Sequence, residues 1–191
     1  MGRRPKGPNE YREVTIAGAE AVEMIIESPK YGTHITIVDK EEYPRVKDFR
    51  WHIWQGPTDR TFYARANIPH PDGTARRTIV QMHRHITNAP KGMVVDHINH
   101  NGLDNRKSNL RVCTIAENSR NRRRQKGGTS IYKGVNWQKA KKKWHARIKF
   151  EGKHMHIGYF TDDKEEEAAR AVDAKAKELH GEYAYLNFPD E

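Results

Sequence analysis

The stretch Val94-Val95-Asp96-His97-Ile98-Asn99-His100-Asn101-Gly102, with its continuation Ser108-Asn109-Leu110-Arg111-Val112-Cys113-Thr114-Ile115-Ala116-Glu117-Asn118, decides how this chain is read. The β-branched pair Val94 and Val95 predicts a short strand ending at Asp96-His97, and Leu110 and Val112 predict a second. Thr114-x-x-Glu117 has the form of a capping box, in which each side chain satisfies an unpaired backbone N–H at a helix start. A helix therefore begins near Ile115 and carries Asn118 in its first turn. The order strand, loop, strand, helix allows Asp96, His97 and Asn118 to converge.

Upstream, residues 10–90 read mainly as strands. Runs at 33–38, 61–66 and 77–82 are rich in β-branched and aromatic residues and are separated by turn signals such as Gly56-Pro57, Pro69-His70-Pro71 and Asp72-Gly73. A helix over His83 to Asn88 must stop before Ala89-Pro90, because the residue ahead of proline avoids helical backbone. Residues 1–9 are basic, contain Pro and Gly, and are expected to be a disordered tail. Downstream, residues 119–126 carry five cations and residues 127–130 read as a flexible linker. Residues 131–191 then form a separate unit of three strands and a helix. Trp144, Ala146, Ile148 and Phe150 alternate with His145, Arg147 and Lys149, giving one apolar and one basic face. Met155, Ile157 and Tyr159 continue the apolar face, with His154 and His156 opposite. The helix is expected from Asp163 to His180, with Ala168, Val172, Ala176 and Leu179 inward and Gly181 as its cap. The fold class is α+β: a strand-rich N-terminal segment (10–90) leading into a ββα motif (91–126), then a three-stranded antiparallel sheet packed on one helix.

Composition bounds the function. Hydrophobic residues make up 35% of the 191 residues and charged ones 31%, which favours small cores over one large one. The net charge of +10 attracts polyanions, nucleic acid first among them. One cysteine, Cys113, excludes a disulfide framework and a multi-cysteine zinc site within the chain. No apolar run is long enough to span a membrane, and the N-terminus lacks a signal peptide's apolar core. The expected setting is the cytoplasm, that of a bacterial host if the gene belongs to a phage.

The spacing Asp96-His97, eleven residues, Asn109, eight residues, Asn118 closely resembles the HNH, or ββα-metal, nucleases. The resemblance covers about 45 residues, roughly 82–126, and is nearest to phage and intron-encoded homing endonucleases, in which the third motif residue is Asn. It implies phosphodiester hydrolysis, which needs a nucleophile, a neutralised phosphate and a stabilised leaving oxygen. Under it His97 is the general base, because imidazole titrates near neutrality. Asp96 and Asn118 supply hard oxygen ligands to one divalent ion, Mg²⁺ or Mn²⁺. Asn109 braces the loop and helps to orient His97. His83 and His85 are read as packing or supporting groups, His100 as a solvated loop residue, and Cys113 as core. No small-molecule cofactor is expected.

The unit from Ile131 resembles Apetala/ethylene-response-factor DNA-binding domains. The likeness rests on Tyr132 to Val135 with Trp137, Lys143 to Ile148, Gly152-Lys153 with Ile157 to Phe160, Glu167 to Ala169 with Ala171 to Ala174, and Leu186 to Pro189. It implies a sheet in the major groove of double-stranded DNA, with Lys133, Asn136, Arg147, Lys149, His154 and His156 on the reading face. The plant domains carry Glu at the position of Arg147, so no base preference transfers. The run Arg120, Arg122, Arg123 and Arg124 is expected to contact phosphates or the minor groove. His34, Trp51, Trp54 and Arg65 are further candidates, with core packing the better fit for both tryptophans. A monomer with one such site would nick DNA. A regulator that binds without cutting would not need Asp96, His97, Asn109 and Asn118 intact together. A single-stranded RNA reader would need an aromatic stacking platform that the sheet does not offer.

Overall fold

Tight turns set the first hairpins. Ala17 (φ 51°) and Gly18 (φ 80°) form a two-residue connection with both residues left-handed, the twist that matches paired strands. It joins β1 (Glu10–Ile16) to β2 (Ala19–Ser28), and β2 pairs in turn with β3 (Gly32–Asp39). The computed structural model describes residues 7–70, 73, 76–124 and 127–189. It divides into two compact units, Met1–Thr114 and Ile115–Glu191.

In the first unit α1 (Tyr43–Val46) leads to a second antiparallel sheet of β4 (Trp51–Trp54), β5 (Tyr63–Pro69) and β6 (Arg77–Gln81). Helix α2 (Met82–Thr87) follows and ends at Asn88 in left-handed backbone, two residues before Pro90. The hairpin of β7 (Val94–His97) and β8 (Leu110–Cys113) closes the unit, with a 3₁₀ turn at Lys107–Asn109 between them. β2 buries alternate residues Val22, Met24 and Ile26 against Val38, Trp51 and Met82, the period-two pattern of a one-sided strand. Trp51 is fully buried and its indole N–H donates to Val46 O at 2.8 Å. Trp54 is half-buried, with the Arg65 guanidinium 4.4 Å above its ring.

The tail expectation needs correcting at its inner end. Residues 1–6 lie outside the described residues, but Asn9 is buried, accepting from Trp51 N–H at 2.8 Å and donating to the Ile25 and Trp51 carbonyls. A side chain that satisfies a strand's edge is not part of a disordered tail. Asp72 of the Asp72-Gly73 signal also lies outside the described residues.

The second unit begins earlier than the expected linker, at α3 (Ile115–Arg120). β9 (Val135–Gln138), β10 (Lys143–Phe150) and β11 (Lys153–Phe160) form an antiparallel sheet in the order β11-β10-β9. Glu151 (φ 47°) and Gly152 (φ 81°) make its tight turn. α4 (Glu165–His180) lays Ala168, Ala169, Val172 and Ala176 on the sheet, small residues that let a helix approach closely. Gly181 caps it, its N–H reaching Lys177 O. The Asp173 carboxylate accepts from Asn187 Nδ2 at 2.8 Å and from Phe188 N–H at 2.9 Å, fastening the C-terminal segment to α4.

Strict alternation fails in β11. A bulge shifts the register between Ala146 and Arg147, so Ala146 faces Gly158 while Arg147 faces His156. One extra residue inverts the faces beyond it. Tyr159 therefore stacks on His145 at 4.8 Å, beside the histidines rather than on the apolar face, and Phe160 joins the core instead. Across the described residues the protein is mixed and strand-rich, with four small sheets and few helices. No helix among them is long and apolar enough to cross a membrane.

Candidate active site

Asp96 and His97 end β7, where adjacent residues point to opposite sides of the hairpin. Both are buried, with 6% and 5% of their surface exposed. Asp96 lies opposite Arg111 in the register, and two guanidinium bonds land on Asp96 Oδ2, from Nε at 2.9 Å and Nη2 at 2.6 Å. The pair is screened little by solvent, its side chains being 7% and 11% exposed.

The loop between the strands is held by amides. Asn109 Oδ1 accepts from Asn99 N–H at 2.9 Å, and its Nδ2 donates to Asp104 O at 2.8 Å, so Asn109 braces the loop. Asn99 Nδ2 donates to Asp104 Oδ2, and Arg106 grips the same carboxylate. Burial works against the charged form of Asp104, but Arg106 outweighs it and holds the carboxyl below its usual range. Gly102 passes so close to β5 that a Cβ would run into Phe62 O and the Tyr63 ring. Its N–H is taken by Thr61 Oγ1 at 2.9 Å.

Asn105, fully buried, ties the loop to both β3 and His97. Its Nδ2 donates to Thr36 Oγ1 at 2.9 Å, and Thr36 donates onward to Leu103 O. That chain fixes which end of the amide faces His97: Oδ1, 3.4 Å from Nε2. Since a carbonyl oxygen only accepts, this bond places a proton on Nε2 and leaves Nδ1 as the basic nitrogen of neutral His97. Burial lowers the His97 pKa below its ordinary value, partly offset by Asn105 and by the charges of Asp96 and Asp104.

A second imidazole stands against the first. The His83 ring, on α2, meets His97 edge-on at 5.0 Å, and Tyr63 lies 5.8 Å from His97 and 5.5 Å from His83. Burial, then the charges of His97 and Arg84, push the His83 pKa down to about 3. Its Nδ1 is buried and has no hydrogen-bond partner. Arg45 and Arg84 hold α2 in place. Arg45 donates to the carbonyls of His85 and Ile86, and Arg84 to those of Met93, Ala89 and Pro90. His85 sits edge-on to Phe49, a packing role.

Residues 78–120 match the HNH endonuclease family. Protein 3.8 of Escherichia phage T7 is 35% identical over 95 residues, which span 50% of this chain and 76% of that protein. The chain belongs to the HNH endonucleases. An uncharacterized HNH endonuclease of Acanthamoeba polyphaga mimivirus is 27% identical over 197 residues, covering 96% of this chain and 94% of its own length. No solved structure matches. The protein is thus a DNA-cleaving hydrolase with viral relatives.

In this HNH endonuclease the partners of the two motif residues, Arg111 and Asn105, escape sequence reasoning. A cross-strand pair two positions into β8 and an amide inside a polar loop leave no local periodicity to find. Asn118 lies half-buried on α3, in the second unit. Among the described residues no three His, Cys, Asp or Glu groups gather into a metal site.

The basic residues expected on DNA divide into two sets. Arg147, Lys149, His154 and His156 are exposed, and Arg147 pairs across the sheet with His156 and Lys149 with His154. His145 joins them, its Nε2 3.0 Å from His156 Nδ1. Arg122 and Arg123 are exposed. Arg124 donates to Gly128 O. Arg120 is half-buried at the end of α3, and Asn136 keeps its Oδ1 buried with no partner. Lys133 departs from the expected reading face: its Nζ donates to Arg120 O at 2.7 Å and lies 4.9 Å over the Tyr185 ring. The last carbonyls of a helix lack partners within it, and a nearby ammonium is drawn to them. Burial pushes the Lys133 pKa down to about 8.

Proposed function

We propose that this HNH endonuclease is a site-directed enzyme of a phage or mobile element, hydrolysing one phosphodiester of duplex DNA through His97 with a single divalent ion. The observation that carries the reading is His97 itself, a buried neutral imidazole oriented through Nε2 with Nδ1 left to act. A base needs its lone pair, and a pKa below the ordinary value keeps that pair unprotonated at neutral pH. His97 Nδ1 takes the proton of the attacking water. Asn109 keeps the loop rigid so that the ring cannot drift, and His83 and Tyr63 wall its other side.

The donor chemistry suits Mg²⁺ or Mn²⁺. Asp96 offers a carboxylate and Asn118 an amide oxygen, both hard donors, with water and phosphate oxygens to complete the shell. When bound, the ion supplies charge neutralisation at the scissile phosphate and at the departing 3′ oxygen. Arg111, bonded to Asp96 Oδ2, fixes that carboxylate along the strand.

The second unit supplies site choice. Its sheet and helix accord with the Apetala/ethylene-response-factor resemblance, and Arg147, Lys149, His154 and His156 form an exposed basic face for the duplex. Exposed cations contact phosphates and add affinity without sequence information, while groove contacts specify. Tethering a reader to a small nuclease raises its local concentration to the order of mM.

The test is nicking of supercoiled plasmid in Mg²⁺ or Mn²⁺. His97→Ala should abolish nicking while a gel-shift assay shows DNA binding retained. Equal cleavage by wild type and variant refutes the base assignment. Replacing Arg147, Lys149, His154 and His156 together by alanine should leave cleavage intact while weakening and broadening site choice, and unchanged specificity would refute the division of labour.

A further inference from the structure

β10 outruns its neighbour. β9 pairs only with Lys143–Ala146, so among the described residues the edge of β10 beyond Arg147 carries no strand on that side. A cavity of about 540 Å³ opens there, wholly within the second unit, between that edge, α3 and α4. Its size suits a nucleotide-sized ligand. Cations crowd its wall: Arg120 from α3, Lys133 below it, and Arg147 and Lys149 from β10, with Glu151 the one carboxylate among the lining residues. Glu151 is exposed, at the β10–β11 turn.

His180 is among the lining residues. It is 9% exposed, and its Nδ1 has no hydrogen-bond partner. A buried nitrogen without a partner is costly, so it calls for an explanation. Its pKa is lowered by burial and then by the positive charge of Arg120, with Lys133 adding to the effect and hydrogen bonding to the Leu179 and Lys149 backbone opposing it. Like charges held together around a cavity are relieved by an anion. An internal phosphodiester belongs to a continuous strand and is met best by an open face such as Arg147–His156. A cavity of this size admits a chain end or a free nucleotide, and a phosphate monoester brings close to two charges and three acceptor oxygens.

We propose that this cavity binds a phosphate monoester, carried either by a free nucleotide or by the 5′ end of a DNA strand, with His180, Lys133 and Arg120 as its anchors. Cleavage that leaves a 3′ hydroxyl gives such a 5′ phosphate, yet the argument stands without the nuclease reading.

The experiment uses the full chain and calorimetric titration with dAMP, deoxyadenosine, inorganic phosphate, and a dinucleotide with and without a 5′ phosphate. dAMP or the phosphorylated dinucleotide should bind one per chain and be displaced by phosphate, while deoxyadenosine and the 5′-hydroxyl dinucleotide should not. Binding by dAMP identifies a nucleotide site, and binding by the phosphorylated dinucleotide alone identifies a strand end. His180→Phe keeps the ring stacked on Phe150 and should weaken the monoester at least tenfold, leaving affinity for a 5′-hydroxyl duplex unchanged. No binding by any monoester, or equal affinity in the variant, overturns the proposal and leaves a water-filled cavity. Should the variant fail to fold, amine acylation of wild-type Lys133 reads the same site: protection by the monoester supports the proposal, and unaltered acylation overturns it.

Discussion

Acid should loosen the first unit through His83 before it touches the carboxylates. Its imidazole is neutral in the folded state, with its pKa pushed down to about 3, whereas an unfolded histidine titrates near 6.5. Below pH 6.5 the unfolded chain gains a proton that the folded chain refuses. The stability this group contributes is complete above the unfolded pKa and is lost as pH falls toward the folded one. At pH 5 the unfolded histidine is about 1.5 pH units below its pKa, which costs the folded state about 2 kcal/mol at roughly 1.4 kcal/mol per unit. That figure is insensitive to the exact folded pKa so long as it stays below 5. In a unit of this size, about 2 kcal/mol corresponds to a melting shift of roughly 8 °C. The assay is calorimetry of wild type and His83→Leu at pH 7 and pH 5. The leucine variant should lose about 2 kcal/mol less than wild type over that interval, since His97 and the carboxylates titrate in both. Parallel losses in the two proteins would refute the account of His83 as a buried neutral ring.

Asn105→Ala removes the anchor of the His97 ring and leaves Thr36 without a donor. We expect about 1–3 kcal/mol of lost stability and at least a tenfold slower plasmid nicking rate, and a wild-type rate would refute the anchoring role. Arg111→Gln leaves the buried Asp96 carboxylate without its cation. Melting should report a loss of about 3–5 kcal/mol, partly recovered in Arg111→Lys, and an unchanged transition would show that the pair contributes nothing. Gly134→Ala forces a Cβ at φ +82° to within 2.7 Å of Val172 Cγ1 and 2.8 Å of Arg147 O. Far-ultraviolet dichroism should show the second unit destabilised by about 1–3 kcal/mol or more, and a neutral effect would mean that the sheet and α4 part easily.

How legible these features were depended on how local their causes are. The order β7, β8, α3 follows from runs of a few residues, so Val94–His97 and Leu110–Cys113 emerged where the side chains put them. The Glu151-Gly152 turn and the Gly181 cap are equally local, being matters of left-handed backbone. Partner choice across the chain was not legible. Nothing near Asp96 announces Arg111, and nothing near His97 announces Asn105 or, on α2, the ring of His83. Alternation alone puts Tyr159 on the apolar face, because a bulge is a property of two strands together. The resemblance puts Lys133 on the reading face, and nothing near it in sequence reveals that its ammonium bonds the end of α3.

The loop that carries Asn99, Asn105 and Asn109 has one more consequence. It is fastened by amide bonds to Asp104, Thr36 and its own backbone. Attraction between apolar groups weakens on cooling, and hydrogen bonds do not share that dependence. Chilling therefore slackens the packed interior sooner than it slackens this loop.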